Sequence, residues 1–161
     1  MTQAIYYSRT SSPVGTLLLA VSERGLLALE FGRGRVPTDW VESEEKTAPC
    51  ARQLAEYFSG RRRRFDLALD LRGTDFQKRC WQELLKIPYG ETRSYADIAR
   101  AIGSPSAVRA VGLANGQNPI AIIVPCHRVI GSDGSLTGYG GGLEIKRKLL
   151  ELEGALSESL V

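Results

Sequence analysis

Long apolar runs are missing from this sequence of 161 residues. The longest uninterrupted runs, 17–21 and 120–124, have five residues each, whereas a helix needs about 20 to span a bilayer. The first seven residues contain no basic segment followed by an apolar one, so we expect no secretory signal. These absences predict a cytoplasmic protein without a membrane partner, and the length predicts one domain or two small ones.

Cysteine and histidine are scarce, and their spacing is not that of a metal site. Cys50, Cys80 and Cys126 are odd in number and form no Cys-x-x-Cys motif, which is typical of a reducing compartment without disulfide bonds. A zinc site would need all three cysteines to converge on His127, the only histidine, so we expect no metal ion and no cofactor. Cys50 and Cys80 are predicted to be buried structural residues.

A large excess of charge of one sign is also absent. Lys and Arg together number 21 and Asp and Glu 18, which leaves a net charge of +3. That excess permits a nucleic-acid partner without requiring one. The run Arg61–Arg64 fits either a nucleic-acid contact or a solvated loop, and the solvated loop is favoured because nothing around the run is suited to reading bases.

The first 71 residues are predicted to form a small α+β unit. Apolar segments separated by turn residues predict an antiparallel meander of strands. We expect strands at 4–9, 15–21 and 26–31, a polar loop at 32–46, a helix at 48–58, and a half-buried strand or extended segment at 65–71.

The pattern of the remaining residues is helical. Thr74-x-x-Gln77 is a capping box that predicts a first helix, and Ser94-x-x-Asp97 starts a second, which Gly103 ends. Ser104-Pro105 opens a third helix that runs to about Asn115, with Pro at its first position. Two short helices joined by a Gly-containing turn predict a helix-turn-helix, with an ordinary helical hairpin as the alternative.

The third helix has two different faces. Spacing places Val108, Val111 and Asn115 on one side. The opposite side carries a second set: Ser106, Arg109, Ala110 and Leu113. This outer face is mostly small with one cation, which suits close approach to a nucleic-acid backbone and an Arg that enters a groove. A surface Arg without a function is the alternative.

Reactive side chains are concentrated around Cys126. An apolar, strand-like segment from Asn118 to Val124 runs into Pro125, which stiffens the chain before Cys126 and His127. An unperturbed thiol is only about 3% thiolate at pH 7, so a nucleophilic Cys126 requires a lowered pKa or a base. Adjacent residues of an extended chain point to opposite faces, so we expect Cys126 and His127 to couple through a bend or a water.

A partner that orients His127 is expected from the last helix, at about 143–153. Spacing gives one face of this helix four residues: Lys146, Leu149, Leu150 and Glu153. Glu153 is therefore predicted to point inward with the leucines, and a solvated Glu153 is the alternative. Between these parts, six glycines in Gly131–Gly142 predict a loop that brings backbone close to a ligand.

The chain contains the motif Pro125-Cys126-His127-Arg128-Val129. Asn118-Pro119 precedes this motif, and Gly138-Tyr139-Gly140-Gly141-Gly142 follows it. This combination resembles the active-site signature of O6-alkylguanine-DNA alkyltransferases. The resemblance extends over about 73–153 and more loosely over the residues before. It implies an α+β fold, with an N-terminal ribonuclease H-like α/β domain with an antiparallel sheet at 1–71. The mostly helical C-terminal domain at 72–161 would carry the helix-turn-helix, bind DNA and accept the alkyl group.

The resemblance also implies the reaction and its residues. Members of the family flip O6-alkylguanine, and less efficiently O4-alkylthymine, out of double-stranded DNA and move the alkyl group irreversibly to the motif's cysteine, without a cofactor. The implied catalytic residues are Cys126 as acceptor, His127 as its activator through a water, Glu153 to orient His127, Asn118 to support the loop, and Tyr95 to form a hydrogen bond with the guanine.

The implied minor-groove contacts are Arg109, which fills the gap left by the base, with Ser94, Ser106, Ala110, Gly112 and Arg128. The implied base pocket consists of Val129, Tyr139 and Gly140. Many members carry Ser at the position of Gly140, so a side-chain donor to the alkylated oxygen is missing here, and the backbone NH would have to serve.

We expect a monomer that reacts once per molecule, and cooperation along DNA stays open. One alternative is a binding module, either a helix-turn-helix regulator or an alkyltransferase-like protein that marks lesions; such non-repairing relatives usually lack the cysteine. The other alternative is a Cys-His hydrolase, which would turn over many times.

Overall fold

The computed structural model of the chain describes residues 3–139 and 141–156. The chain divides into two compact units, the first ending at Arg72 and the second beginning at Gly73. Each unit has its own apolar core. Within these described ranges, no helix is both long and apolar enough to cross a membrane.

The first unit consists of a four-stranded sheet and the helix α1 (Glu44–Phe58), which packs against it. The strands are β1 (Tyr6–Thr10), β2 (Leu17–Ser22), β3 (Gly25–Phe31) and β4 (Val41–Glu42). Their order in the sheet is β3-β2-β1-β4. β1, β2 and β3 pair antiparallel, so the predicted meander is confirmed, while β4 lies parallel to β1.

Two predictions for the first unit are wrong in part. The segment 32–46 is not a polar loop throughout, because it contains β4 and the start of α1. α1 begins at Glu44 rather than near residue 48 because the Ser43 hydroxyl accepts a hydrogen bond from the first turn and caps the helix. For the segment 65–71, the extended alternative is confirmed: it forms no full strand, and one isolated bridge joins its Leu69 to Leu26 of β3.

The second unit contains α2 (Asp75–Leu84), α3 (Tyr95–Ala101), α4 (Val108–Gly116) and α5 (Leu143–Leu152), with the parallel pair β5 (Arg93–Ser94) and β6 (Val129–Ile130). The capping boxes predicted at Thr74 and Ser94 are confirmed at the starts of α2 and α3. Gly103, with φ +80°, follows the C-cap of α3 and ends it as predicted. α3 and α4 pack against each other across a short turn, as in a helix-turn-helix.

α4 begins later than the sequence predicts. The backbone N–H of Ala107 donates to the carbonyl of Ser104 at 2.9 Å, which closes a turn with Pro105 at its second position, where Pro is favoured. The helix therefore starts at Val108 and ends near the predicted residue. As a result Ser106 lies in the turn, and the side chain of Val108, which was predicted to face inward, is 39% exposed.

The core of the second unit holds the elements that carry the site. Trp81 of α2 is fully buried, and its indole N–H donates to the carbonyl of Ala114 in α4 at 2.9 Å. α2 and α5 both contact the turn that carries Cys126. Cys80 is buried in this unit and Cys50 in the first, which confirms both as buried cysteines.

Candidate active site

The segment that leads to Cys126 is folded into turns and is not the predicted strand. The backbone N–H of Val124 donates to the carbonyl of Ile120 at 3.0 Å, which an extended chain does not allow. The Asn118 side chain holds this segment: its Nδ2 donates to the Val124 carbonyl at 2.8 Å, and its Oδ1 accepts from the Ile120 N–H at 3.0 Å. An apolar run that is buried on all sides has no periodicity that distinguishes a strand from turns.

Cys126 begins a single 3-10 turn, Cys126–Arg128, and is 5% exposed. Three polar side chains act on its sulfur: the amide of Asn118, the hydroxyl of Tyr139 and the ammonium of Lys146. Burial raises the pKa of the thiol by more than these three groups lower it, so the pKa of Cys126 lies above its ordinary value. At neutral pH the sulfur rests as a thiol and needs a base before it can attack.

His127 is fully buried, and its Nε2 lies 2.8 Å from Oε2 of Glu153. Burial acts to raise the pKa of Glu153, yet hydrogen bonds from His127 and Arg128 outweigh it and lower that pKa to about 2. Burial lowers the pKa of His127. The pair at neutral pH is therefore a carboxylate and a neutral imidazole whose Nε2–H donates to Glu153. Nδ1 keeps its lone pair and has no hydrogen-bond partner among the described residues.

Arg128 binds the same carboxylate from the other side. Its Nε and Nη2 donate to the two oxygens of Glu153 at 2.7 and 3.0 Å, and its Nη1 donates to the carbonyl of Ile87 at 2.7 Å. Its side chain is 8% exposed. The prediction that Arg128 contacts DNA is therefore wrong: a buried carboxylate requires a cation, and Arg128 supplies it.

Lys146 is a buried cation for which no role in the site is predicted from the sequence. Its side chain is fully buried, and its Nζ donates to the carbonyls of Val129 at 2.6 Å and Thr137 at 2.8 Å. Burial lowers its pKa to about 8, and the neighbouring Cys126 acts in the opposite direction. Lys146 thus links both ends of the segment 129–137 to α5 by hydrogen bonds. A lysine between the leucines of an apolar helix face was the signal that could have identified it.

The residues predicted for the base pocket lie along this segment. Val129 is fully buried, and the side chain of Tyr139 is half-buried. The Thr137 hydroxyl donates to the Tyr95 oxygen at 3.0 Å, so Tyr95 keeps its own O–H for another acceptor. Gly140 lies outside the described residues.

Some of the residues that were predicted to contact DNA are exposed, and others already contact groups within the protein. Ser106, Arg109 and Ala110 are exposed, and Arg109 makes no hydrogen bond or ion pair with any residue of the described ranges. Gly112 is half-buried, and a Cβ at this position would lie 3.9 Å from the Tyr95 ring. The Ser94 hydroxyl already accepts the N–H of Asp97 in the cap of α3 at 3.0 Å.

The polar groups of this site are acids and bases that lie close to the sulfur of Cys126 or to the carboxylate of Glu153. Among residues 3–139 and 141–156, no group of three or more His, Cys, Asp or Glu side chains is placed to hold a metal ion. The arrangement supplies a buried thiol, a neutral imidazole anchored by a carboxylate, and a phenol. Together these groups can activate a sulfur nucleophile and protonate a leaving group.

Family models match both parts of the chain. The model described as 6-O-methylguanine DNA methyltransferase, ribonuclease-like domain, matches residues 5–71. The model described as 6-O-methylguanine DNA methyltransferase, DNA binding domain, matches residues 75–155. The two matches together span most of the sequence.

Individual relatives agree with the family models. A methylated-DNA–protein-cysteine methyltransferase of Methanosarcina barkeri is 57% identical over 153 residues, which cover 92% of this chain and 97% of the relative. The protein of the same name from Mycobacterium tuberculosis is 54% identical over 154 residues, 92% of each chain. The crystal structure of Mycobacterium tuberculosis OGT in complex with DNA superimposes with a TM-score of 0.89 at 55% identity and covers 93% of each chain.

Proposed function

Because the chain belongs to the 6-O-methylguanine DNA methyltransferase family, we propose that it repairs O6-alkylguanine in double-stranded DNA by moving the alkyl group to Cys126. Transfer to the protein's own cysteine is the activity for which its curated relatives are named. The observation that carries the choice of residue is the buried Cys126 thiol beside a neutral His127 that Glu153 anchors.

Cys126 is favoured over the other two cysteines by its surroundings. Cys50 is buried in the first unit, where burial alone raises the pKa of its thiol to about 12. Burial also raises the pKa of Cys80, and the one group that opposes it is the nearby Arg79. Cys126 combines burial with three polar groups that stabilise a thiolate. Those groups lower the free energy of the charge that forms when the thiol is deprotonated.

The reaction balances as a displacement at a saturated carbon. The Cys126 proton passes through a water to Nδ1 of His127, which leaves a thiolate and an imidazolium whose charge the Glu153 carboxylate stabilises. The thiolate forms a bond to the alkyl carbon while the bond from that carbon to O6 breaks. The electron pair of the broken bond passes to the purine ring, which takes up one proton to become guanine.

We propose that Tyr95 supplies the proton that the departing base needs. Its oxygen accepts a hydrogen bond from Thr137, which leaves its own hydrogen available for another acceptor, and we propose that this acceptor is a ring nitrogen of the guanine. Protonation lets the base leave as a neutral molecule rather than as an anion, and the Tyr95 phenolate then regains a proton from water while the His127 imidazolium releases one. Val129, Tyr139 and the backbone near Gly140 would line the pocket around it.

The exposed face of α4 is the proposed contact with DNA. Its residues Ala110 and Gly112 are small, which lets the helix approach the minor groove closely, and Ser106 precedes it in the turn. Arg109, exposed and without an internal partner among the described residues, would enter the stack in place of the flipped nucleotide. Flipping costs a few kcal/mol, which the inserted Arg offsets. Binding is expected to depend on phosphate contacts and to be largely independent of sequence.

O4-alkylthymine presents an alkyl–oxygen bond comparable to that of O6-alkylguanine. We propose that it is a second, poorer substrate. The free cysteines suit a cytoplasmic protein, and one chain contains every group that the transfer uses, so we propose a monomer. The thioether that forms is stable, and each molecule reacts once.

The test is transfer of label from a duplex that contains O6-methylguanine with an isotopically labelled methyl group. Intact-mass spectrometry and peptide mapping should find close to one methyl group per chain, on Cys126. Cys126→Ser should abolish transfer, whereas Cys80→Ala, the matched control in the same unit, should retain it. Label that still appears on the Cys126→Ser protein would refute the proposal, and continued turnover after a burst would indicate a hydrolase.

A further inference from the structure

Two buried side-chain atoms next to Cys126 lack a hydrogen-bond partner among the described residues. One is Nδ1 of His127, and the other is Oδ1 of Asn115, a residue of α4 that is 5% exposed. Buried polar atoms are almost always hydrogen-bonded, so each exception indicates a catalytic role or a bound water. The proposed alkyl transfer uses His127 as its base, whereas Asn115 has no role in it so far.

The orientation of the Asn115 amide is determined by its neighbour. Its Nδ2 donates to the carbonyl oxygen of Cys126 at 3.4 Å. A carbonyl oxygen only accepts, so the amide cannot be flipped, and Oδ1 must face away from that carbonyl. Asn118, the other amide of the site, is different, because both ends of its side chain already bond to the backbone of its own loop.

The two unpartnered atoms require the same kind of partner. Glu153 holds the proton of His127 on Nε2, so Nδ1 accepts hydrogen bonds, as Oδ1 of Asn115 does. Two acceptors cannot bond to each other, and a molecule that joins them must donate twice. Water does so, and its oxygen can still accept the S–H of Cys126, which gives the three hydrogen bonds typical of a buried water.

We propose that Asn115 is a positioning residue that holds, together with His127, the water through which Cys126 is deprotonated. The inference rests on the proposed function, since it concerns the proton of the reacting thiol. The proton on sulfur moves to the water, and a water proton moves to Nδ1 of His127. The water's other hydrogen stays bonded to Oδ1 of Asn115, so the water is neutral before and after the step. The helix that we propose binds DNA thereby also sets the position of this water.

The first test compares Asn115→Leu with Gln117→Leu. Leucine is close to asparagine in shape and cannot hold the water, while Gln117, an exposed amide at the end of the same helix that bonds to Gln77, is the matched control. The single-turnover rate constant with the labelled duplex is measured against pH. Asn115→Leu should lower it at pH 7 by roughly tenfold to a hundredfold, a part of the 10²- to 10⁴-fold that a positioned base supplies. The deficit should narrow at high pH, where hydroxide removes the thiol proton directly.

Further variants and measurements separate positioning from packing. Asn115→Ser, whose hydroxyl accepts from the water, should lie between wild type and Asn115→Leu, and both should bind undamaged duplex like wild type. Should Asn115→Leu fail to fold, Asn115→Ala takes its place with the same expected direction. A pH profile that matches wild type, or a deficit that is equal at every pH, would overturn the inference. Wild type without transfer would instead contradict the proposed function.

A crystal structure of the protein at high resolution provides a direct test. It should show an ordered water about 2.7–3.2 Å from both Oδ1 of Asn115 and Nδ1 of His127. The sulfur of Cys126 should lie within hydrogen-bond distance of the same water. A protein donor on Oδ1, or density without this water, would overturn the inference.

Discussion

Glu153 is the residue on which the buried part of the site depends. Its carboxylate receives hydrogen bonds from His127 and from two nitrogens of Arg128, and all three residues are buried. A buried ion pair contributes little when it is intact, but removing one partner leaves the other charge unpaired in a medium of low dielectric constant. Glu153 therefore supports both the stability of the second unit and the tautomer of His127.

Glu153→Gln is expected to destabilise the protein and slow the transfer together. Glutamine keeps the shape but leaves the Arg128 guanidinium buried without a counter-charge, which costs about 3–5 kcal/mol. Urea unfolding at pH 7 measures that loss. Glu151→Gln, on the same helix, is the matched control and should change stability by less than about 0.5 kcal/mol. Equal stability of the two variants would show that the carboxylate is not needed to pair with Arg128.

The same residue makes the wild-type protein sensitive to acid. The pKa of Glu153 is about 2 in the folded chain and 4.5 ordinarily, so its contribution to stability is complete above about pH 4.5 and is lost as the pH falls toward 2. The lowered pKa of His127 acts in the same direction below its ordinary value of 6.5. The Glu153 difference amounts to about 3 kcal/mol. Denaturant midpoints measured from pH 7 to pH 3 should fall in wild type and change less in Glu153→Gln.

Lys146→Met tests the electrostatic role of the buried ammonium. Methionine preserves most of the side-chain volume but leaves the carbonyls of Val129 and Thr137 without this donor, so a loss of stability is expected and urea unfolding of the variant is measured first. Without the cation, the pKa of the Cys126 thiol should rise further, because Lys146 is one of the groups that lower it. The rate of iodoacetamide alkylation of Cys126 against pH measures this shift. Lys148→Met, an exposed lysine of the same helix, should leave the profile at its wild-type position.

Individual residues differ in how much of their environment the sequence reveals. The inward position of Glu153 follows from helical spacing with Leu149 and Leu150, and the structure has it buried. The direction of Arg128 does not follow from any pattern, since the 3-10 turn that sets it results from the packing of its neighbours. The same applies to Asn115, whose place on the inner face was predicted but whose bond to Cys126 depends on the fold of the loop.

The helices that begin with a full capping box are the ones whose starts the sequence predicts well. The capping boxes of α2 and α3 are confirmed because Ser, Thr, Asp and Gln side chains close them within four residues. The start of α4 was misplaced because Pro105 is equally suited to a β-turn and to a first helical position. The prediction of a strand at 118–124 is wrong because the conformation of this segment depends on the hydrogen bonds of the Asn118 side chain to the backbone of Ile120 and Val124. Residue propensities do not predict such bonds.

Ser94→Ala tests whether Ser94 acts on the helix rather than on DNA. Its hydroxyl caps α3, and replacing a serine cap by alanine costs about 1 kcal/mol. Ser106→Ala is the matched control, because Ser106 is exposed in the turn before α4 and should change stability by less than about 0.5 kcal/mol. Urea denaturation distinguishes the two. Loss of stability in both variants, or in neither, would contradict the assignment of the Ser94 hydroxyl to the cap.

Arg109→Ala tests the role of α4 in lifting the base from the duplex. The variant should repair O6-methylguanine in a duplex roughly tenfold to a hundredfold more slowly, since the gap left by the base is no longer filled. Reaction with the free alkylated base needs no flipping and should proceed at the wild-type rate. The ratio of the two rate constants is the measurement. Comparable losses with both substrates would indicate that Arg109 acts on the chemistry.

At the scale of the whole molecule, a net charge of +3 suffices for binding DNA only if cations are placed along the phosphates. Affinity for a duplex should therefore fall with salt, with a slope in the double-logarithmic plot of about −0.9 for each phosphate contact. The slope should be the same for damaged and undamaged duplexes of different sequence, because phosphates carry no sequence information.

Substitutions in the run Arg61–Arg64 test whether the cations that contact the phosphates lie there. Arg62 pairs with Glu56 at 3.0 Å, which engages it inside the first unit, whereas Arg61 and Arg64 are exposed. If the run is a solvated loop, as its sequence favours, the double variant Arg61→Ala/Arg64→Ala should keep the wild-type salt slope and lose affinity only slightly through the reduced net charge. Fluorescence anisotropy with a labelled duplex at several salt concentrations measures both quantities. A slope shallower by about two phosphate contacts would instead place this run against the DNA and extend the binding surface to the first unit.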